Sequence, residues 1–572
     1  MHVSRIALLI LLVFGCSSVG GQAPASPVQP SVPNRPLVVA NRFEPHSLGP
    51  KLYGTNGPLT TTRLFNAALS LFDVQGQARP YLAESLPQLN TSTWRVMPDG
   101  RMETTYPLRS GLTWQDGSPL TADDFTFAFR VYKDPGLGIF FSTPQDIIDS
   151  VLAPDARTVV VQWKSLYASA GGLTFQDLDP LPAHLLQGPF TDYLEGRSPK
   201  DAFGDNAYWT TDYIGAGPYK LDRWDPGVQM EGTAFAGHAL GAAKITRLVV
   251  RFFVEENATL AAVLAGGQLD YTSRNTLRFE QFVQLKREWE PAGKGTAIVA
   301  PSTAVFLSLQ QRPEYVGDDG LLDLRIRQAV AHAIDRPAIN DGLYDSLGSP
   351  TETPVPPTVP FYPDLDRILT KYPLDLSRSS QLMADAGFTR DGEGFYANQQ
   401  GRRFHLDFAV FSSSELERMQ AILSDSWRRA GFDVRTVSMA SQLFTQLETR
   451  ATLPGLSYGL FTGETSLLSS EIGSPANKWA GSNRSGWSNP EHDRLWQAAN
   501  ATLDPNERGR DVAQMMSLVS RDLPGYPLYF LLTINTWVAS LQGPDDEHQN
   551  AGFGQVSKAT TTYWNIYDWT LK

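Results

Sequence analysis

The chain has 572 residues, of which 42% are hydrophobic and 11% aromatic, enough to bury large cores. Single cores stop growing at about 250–300 residues, so we expect at least two domains. The formal net charge is −12, from 48 basic and 60 acidic residues without a basic run, and it argues against nucleic-acid binding.

The N-terminus has the pattern of a secretory signal peptide. Arg5 supplies a positive charge, residues 6–14 are all apolar, and Gly15 precedes Cys16. The apolar run is shorter than the ~20 residues that cross a bilayer. Cys16 is the only cysteine of the chain, and its setting resembles a bacterial lipobox. This predicts a signal peptide at 1–15 and a lipidated Cys16; the alternative is a later cut that leaves a free thiol.

Residues 16–36 predict a tether. Prolines at positions 24, 27, 30, 33 and 36 recur at every third residue. Polyproline II has three residues per turn, so this spacing favours a semi-rigid, extended spacer. A spacer directly after an anchor would hold a folded body away from a membrane.

The first half of the body predicts a mixed α/β fold. Segments 37–40, 102–108 and 157–163 are typical of strands. Thr121, with Asp124 three residues later, resembles a capping box and predicts a helix start.

A strand–helix–strand unit follows. A strand rich in β-branched and aromatic residues is expected at 245–253, a helix at 256–265 that stops at Gly266, and a short strand at 269–271. This order indicates parallel pairing. Upstream, the glycines of residues 215–219 suit a crossover strand near a hinge or cleft.

The second half alternates in the same way. Strands are expected at 303–309, 406–411 and 433–437, and helices at 323–335, 414–430, 490–499 and 505–523. Pro524 should stop the last of these helices.

Signatures of enzymes and metal sites are missing from the sequence. It contains neither a G-x-S-x-G elbow nor a G-x-x-x-x-G-K-[ST] phosphate loop. The eight histidines are too far apart in sequence to form a local metal motif. We therefore expect neither an enzyme nor a cofactor.

Several motifs match one family in order and spacing. They are RPYLAES at 79–85, LRSGLTWQDGSPLTADD at 108–124, GAGPY at 215–219, LRIRQAVAHAIDR at 324–336 and WSNPEHDRL at 487–495. Together they resemble the family 5 solute-binding proteins of ABC transporters, which include oligopeptide-, dipeptide- and nickel-binding proteins.

The resemblance implies an α/β fold, the two-lobed clamp of type II periplasmic binding proteins with an additional inserted α/β domain. Lobe I would combine residues 37–72, 205–300 and 531–572. The insertion domain would span 73–204, and lobe II 301–530. A solute would be enclosed as the lobes rotate about a hinge.

The ligand site is where the chain departs from the family. Peptide-binding members carry an aspartate, after a tryptophan-containing strand, that holds the free ammonium of the peptide. The matching stretch is residues 458–465, and the aspartate position falls on Gly463, with Glu464 beside it. If Glu464 does not take over, a peptide ammonium would lack its counter-charge, and blocked peptides or oligosaccharides would be preferred.

The resemblance also places the candidate ligand-binding residues. They are Phe43, Glu44 and His46 after the first strand, Tyr213 near the crossover, and Phe461, Glu464 and Trp479 in lobe II.

The expected function is the extracytoplasmic substrate-binding component of an ABC importer. A monomer, held on the bacterial cell membrane by its lipid anchor and facing the periplasm or the exterior, would deliver a peptide or peptide-like solute to permease subunits. Two other classes stay open: a lipid-anchored sensor or chaperone that uses the same clamp, and a secreted hydrolase whose site is assembled from distant residues.

Overall fold

The computed structural model describes residues 35–50, 59–137, 139, 144–273, 276–440, 443, 446–544 and 562–572. The predicted signal peptide, Cys16 and the tether up to residue 34 lie outside these ranges. Among the described residues, no helix combines the length and the hydropathy that a membrane span requires.

The strands of the described part, in chain order, are β1 Leu37–Asn41, β2 Ser70–Phe72, β3 Ala78–Pro80, β4 Trp94–Val96, β5 Met102–Pro107, β6 Ile148–Asp155, β7 Thr158–Trp163, β8 Tyr219–Asp225, β9 Gln229–Ala234, β10 Arg247–Phe252, β11 Tyr271–Thr272, β12 Gly295–Leu309, β13 Ser349–Pro350, β14 Phe388–Arg390, β15 Tyr396–Asn398, β16 His405–Phe411, β17 Asp433–Met439, β18 Leu456–Ser457, β19 Leu460–Phe461, β20 Gly525–Val538, β21 Leu541–Gln542 and β22 Thr570–Leu571. The α-helices are α1 Leu59–Arg63, α2 Ala122–Tyr132, α3 Ala183–Leu194, α4 Glu256–Ala265, α5 Phe279–Gln284, α6 Leu324–Ala331, α7 Arg336–Tyr344, α8 Tyr362–Ile368, α9 Leu376–Asp385, α10 Ser414–Ala430, α11 Leu447–Ala451, α12 Pro490–Ala501 and α13 Pro505–Asp522.

One large sheet runs through both predicted lobes. Its strand order is β17-β16-β18-β12-β20-β11-β1-β10-β9-β8, with β13 beside β20 and β19 beside β12. β12 and β20 form an antiparallel ribbon in its centre, from Gly295 opposite Val538 to Ser308 opposite Gly525. Because each strand of the ribbon passes from one lobe to the other, β12 and β20 connect the two halves of the molecule.

The insertion domain has its own four-stranded antiparallel sheet, β4-β5-β7-β6. Phe125 and Phe129 of α2 pack into its core, while Phe127 and Val131, on another face of the same helix, pack into the core of lobe I. Thr121 and Asp124 form the predicted capping box at the start of α2. α2 therefore joins the insertion domain to lobe I by apolar packing on two faces.

The GAGPY motif lies at this junction rather than between the lobes. A Cβ on Gly215 would lie 2.0 Å from the Phe65 carbonyl oxygen, and one on Gly217 would lie 2.4 Å from the Asn66 nitrogen. The glycines thus allow close backbone approach, and the Gly217 N–H donates to the Phe65 carbonyl at 3.0 Å. The Gln115 side chain, from the second motif, donates to the Tyr219 carbonyl at 2.6 Å.

Most predicted elements are confirmed, and α4 and α10 have their predicted bounds. β10 and β11 flank β1 and are both parallel to it, as the strand–helix–strand pattern indicated. Two predictions were wrong, and one strand was not predicted. β12 begins at Gly295 instead of residue 303. The helix expected at 323–335 ends at Ala331, and Asp335 then caps a new helix with Pro337 in its first turn. β20 was missed altogether.

Candidate functional site

The carboxyl ends of the parallel strands converge on the middle of the β12–β20 ribbon. In lobe I, β11 runs from its pairing with Trp537 to its pairing with Thr536, towards lobe II, and β1 is parallel to it. In lobe II, β18 pairs antiparallel with β12 at Ser308 and Leu309 and so runs towards lobe I, together with β16. Open α/β sheets bind ligands at the carboxyl ends of their strands, so the candidate site lies where the two sets meet.

The ribbon is irregular at this meeting point. Its register shifts between Pro301 and Ala304, where Ser302 donates from its hydroxyl to the Leu531 carbonyl at 3.0 Å. Irregular pairing bends a strand and increases its local twist. The middle of the ribbon is therefore the part that is suited to act as a hinge.

A small, partly open cleft lies beside this segment. It is lined by residues of lobe I, lobe II and β20, namely Arg278, Phe279, Glu280, Leu343, Tyr344, Glu415, Arg418, Leu531 and Leu532. The lining combines four charged side chains with an apolar and aromatic floor, a composition typical of small-molecule sites.

Three of the four charges have partners of opposite sign. Arg418 of α10 forms an ion pair with Glu280 across the lobes. Arg278 pairs with Glu256 at 3.1 Å within lobe I.

Glu415 is different. It accepts a hydrogen bond from the Tyr344 hydroxyl at 2.7 Å, and in the described part of the chain no basic side chain lies within 4 Å of its carboxylate. Burial raises the pKa of Tyr344, Tyr458 and Tyr529, and the negative charge of Glu415 raises the pKa of each hydroxyl further. Glu415 thus has the Tyr344 hydroxyl as its hydrogen-bond partner and no cationic partner among the described residues.

The lobe I side of the meeting point carries a buried polar network. The Asn41 side chain, at the end of β1, donates to the Thr61 hydroxyl at 2.5 Å and accepts from the Tyr563 hydroxyl at 3.3 Å. On β20, the Asn535 amide donates to the Tyr271 hydroxyl at 2.8 Å, while its buried Oδ1 has no hydrogen-bond partner among the described residues. Buried polar atoms without a partner are rare, so the Asn535 Oδ1 can accept a hydrogen bond from one more donor.

β19 offers an open strand edge to the same region. It pairs with β12 on one side, Leu460 opposite Val305 and Phe461 opposite Ala304, and no described strand pairs with its other edge. The Phe306 N–H donates to the Gly459 carbonyl. Since bonding alternates along an antiparallel pair, the N–H and C=O of Leu460 point to the open edge.

Gly463, where the resemblance to the family places the aspartate, has φ 147° and ψ −179°. This region of backbone space is almost exclusive to glycine. A Cβ built on Gly463 meets no atom within 4 Å. The backbone, rather than a lack of space, is therefore what disfavours a side chain here.

Glu464 is buried and already paired. Its carboxylate oxygens lie 3.1 and 2.5 Å from the two terminal nitrogens of Arg508 on α13. Separating a buried pair of this kind costs about 3–5 kcal/mol. The pairing argues against Glu464 as the substitute for the missing aspartate.

The three candidates after β1 have different environments. Phe43 is exposed, with the Arg42 guanidinium 5.6 Å from its ring centroid. Glu44 accepts from the Trp224 indole at 2.6 Å and from the Gly227 N–H at 2.8 Å, so its carboxylate holds the β8–β9 hairpin. His46 is exposed.

The remaining candidates are mostly in cores. Tyr213 is buried in the lobe I core and hydrogen-bonded to Asn66. Phe461 is buried against Phe306, with ring centroids 5.6 Å apart. Trp479 is half-buried in a turn of lobe II, with its ring 6.4 Å from that of Tyr315. The structure does not bring the seven candidates together into one cluster, and their role in ligand binding stays a prediction.

The sequence interpretation missed the charged residues of the cleft. Glu415 lies in the first turn of α10, directly after predicted strand 406–411, and Arg278 follows the end of β11. The rule that ligands bind beyond the carboxyl ends of strands could have pointed to both. Among the described residues, no group of three or more His, Cys, Asp and Glu side chains is placed to hold a metal ion.

A model of the bacterial extracellular solute-binding proteins, family 5 Middle, matches residues 84–470. Protein XP55 of Streptomyces lividans is 25% identical over 546 residues, which cover 91% of this chain and 90% of XP55. The oligopeptide-binding protein AppA of Bacillus subtilis is 22% identical and matches over 93% of both chains.

The fold also matches solved structures. The ABC transporter substrate-binding protein CtaP of Listeria monocytogenes superposes with a TM-score of 0.73 at 19% identity, over 94% of this chain and 99% of CtaP. At this identity the likeness concerns the fold, a two-lobed α/β clamp with an extra domain, as the sequence motifs implied.

Proposed function

We propose, because this chain belongs to the bacterial extracellular solute-binding proteins of family 5, that it is the substrate-binding component of an ABC importer. In this role it captures a peptide or peptide-like solute between lobe I and lobe II and delivers it to permease subunits. ATP hydrolysis then belongs to the transporter, and the chain itself catalyses no reaction.

The observation that carries this proposal is the convergence of strand ends from both lobes on one irregular ribbon. A solute bound there touches both lobes and the hinge at once. It can favour the closed clamp only through tighter binding to that form. The domain bounds predicted from the sequence stay a prediction.

The open edge of β19 supports a peptide-like ligand. An extended peptide that pairs with a strand edge gains main-chain hydrogen bonds, while its side chains enter pockets on alternate sides. Leu460 provides one outward N–H and one outward C=O for this pairing. A carbohydrate has no backbone to continue a sheet, so the edge favours peptides over the oligosaccharides considered above.

Calorimetry and solution scattering test the proposal together. Purified protein, without residues 1–36, is titrated with a defined tripeptide-to-pentapeptide library and, in parallel, with maltotriose as a carbohydrate probe. We expect heat of binding with the peptides and a smaller radius of gyration when they are present. Binding of maltotriose alone would contradict a peptide-like ligand, and tight peptide binding without compaction would contradict a closing clamp.

Export and attachment form a separate part of the proposal. An extracellular solute-binding protein must be exported, and we propose that Cys16 carries the lipid that keeps it at the membrane. A Cys16→Ser variant should move from the membrane fraction to the soluble fraction, since the lipid chains supply about 0.8 kcal/mol per buried CH₂ group. Unchanged retention in the membrane fraction would show that another feature anchors the protein.

A further inference from the structure

The cleft between the lobes contains one carboxylate, that of Glu415, which has no basic side chain within 4 Å among the described residues. Arg418 is paired with Glu280, and Arg278 is paired with Glu256. Glu415 has only the Tyr344 hydroxyl as a described partner, at 2.7 Å. A carboxylate that is half-buried in a cleft is stabilised by a cation, and here the cation is left for the ligand to supply.

The surroundings of Glu415 suit a primary ammonium group. Phe279, Tyr344 and Tyr529 form a row of edge-to-face rings, with centroids 5.4 Å apart at each step. Aromatic rings attract cations through their negative faces, and a carboxylate can accept charge-assisted hydrogen bonds.

We propose, on the basis of the function proposed above, that Glu415 holds a primary ammonium group of the solute. Glu415 then makes the contact that the family's aspartate makes and that Gly463 cannot make here. The ammonium is either the free N-terminus of a peptide or the side chain of a lysine in it. Glu464 has no part in this contact, because Arg508 neutralises it.

The position of Glu415 explains how such a contact would couple to closure. Glu415 lies on α10 in lobe II, whereas Arg278, Phe279 and Glu280 line the opposite wall of the cleft from lobe I. An ammonium at Glu415 therefore binds at the boundary of the lobes. The neighbouring Glu280–Arg418 pair, which spans the boundary, would then lie beside the bound group.

Native mass spectrometry of the protein without residues 1–36 tests this assignment. The protein is mixed with equal amounts of three tripeptide libraries: lysine-free with free N-termini, lysine-free with N-acetylated termini, and lysine-containing with N-acetylated termini. We expect at least a tenfold preference for libraries that carry a primary ammonium over the acetylated, lysine-free library. The two ammonium-bearing libraries distinguish an N-terminal contact from a lysine contact.

Matched variants identify the residue. Glu415→Gln keeps an acceptor for the Tyr344 hydroxyl but removes the charge, and it should reduce the preference to about one. Glu417→Gln, in the same turn of α10 and exposed, removes the same charge from the helix and should leave the preference unchanged. Glu464→Gln should also leave it unchanged.

Each other outcome overturns the assignment in a recognisable way. Equal binding of all three libraries by the wild type would contradict the ammonium contact, but it would still agree with peptide capture. Loss of the preference in Glu464→Gln instead of Glu415→Gln would transfer the contact to Glu464. If no library binds, the proposed function itself fails, and the inference fails with it.

Discussion

At the scale of single residues, the backbone at Gly463 and the ion pair of Glu464 determine whether these two positions can supply a carboxylate to a ligand ammonium. One position cannot easily carry a carboxylate, because its torsion angles suit glycine. Glu464, the next residue, has a carboxylate, but it forms an ion pair with Arg508 inside lobe II. The resemblance to the family placed Gly463 at the aspartate position, but torsion angles and ion pairs are not visible in the sequence.

We expect Gly463→Asp to lower stability instead of creating an ammonium site. An L-residue at φ 147° and ψ −179° is strained by about 1–3 kcal/mol. Urea unfolding should report this loss. Gly463→Ala is the control, since it adds the same backbone strain without charge and should lose a similar amount. An aspartate variant as stable as the wild type would show that the backbone relaxes easily here.

His238 connects the insertion domain to lobe I in its neutral form. Its Nδ1–H donates to the Gly241 carbonyl at 2.8 Å, so Nε2 accepts from the Tyr81 hydroxyl at 2.8 Å. Burial lowers the pKa of His238 to about 4. In a protonated ring Nε2–H can only donate, so the Tyr81 hydroxyl would have to accept and its own proton would lose its buried acceptor.

Stability should therefore fall with acid, and part of the fall belongs to His238. The folded pKa of about 4 is below the unfolded value of ~6.5, so the unfolded chain binds the proton first. The contribution is complete above pH ~6.5 and is lost as the pH falls towards 4, to a total of about 3 kcal/mol. Urea unfolding at several pH values should show a shallower fall for His238→Gln. His492 is also buried with a lowered pKa, but it is present in both proteins and cancels.

At the scale of elements, the sequence was most informative where local pattern and tertiary role agree. α10 has a serine cap, an apolar stripe and a terminal Gly431 in the left-handed region, and its bounds were predicted correctly. β20 has a buried pattern along almost its whole length and follows a proline that stops α13. A fully buried, apolar strand has no alternation to recognise. It could be identified only by its partners β12 and β11, which are remote in sequence.

The contact between the GAGPY segment and residues 64–66 should be sensitive to a single methyl group. A Cβ at position 217 would be 2.4 Å from backbone atoms of Phe65 and Asn66, which cannot move aside as a side chain could. We expect Gly217→Ala to destabilise the protein by about 1–3 kcal/mol or more, measured by urea unfolding. Gly188→Ala is the matched control: it lies in α3 with no atom within 4 Å of its Cβ and should be neutral or slightly stabilising. A Gly217→Ala variant as stable as this control would contradict the close approach.

At the scale of the whole molecule, the lobes are connected more by apolar contact than by charge. Glu280 and Arg418 are about half exposed, with 52% and 46% of their side chains accessible. Exposed ion pairs contribute about 0.2–1 kcal/mol. Phe279 of lobe I, by contrast, is buried and its ring lies 5.4 Å from that of Tyr344 in lobe II.

The radius of gyration of the peptide-bound, closed protein should consequently be the same at low and high salt. Salt at about 0.5 M reduces the range of exposed charge interactions to a few ångströms, so a clamp held by Glu280–Arg418 would open and scatter as a larger particle. Arg418→Ala should change the free energy of unfolding by less than about 1 kcal/mol, whereas Phe279→Ala should lower it by about 3–5 kcal/mol. An increase in the radius of gyration at high salt would show that the Glu280–Arg418 ion pair, and not apolar contact, holds the lobes together.

The course of β20 also determines the order in which the molecule can fold. Thr272 and Thr536, which bond to each other across β11 and β20, are 264 residues apart in sequence, and β12 has β20 as its neighbour along most of its length. Contacts of such separation form late, because closing a long loop must precede them. The two halves of the central sheet, β17-β16-β18-β12 and β11-β1-β10-β9-β8, are not joined until residues 525–538 have arrived. The two lobes should therefore become protease-resistant together, and a chain interrupted before residue 525 should be degraded instead of persisting as half a clamp.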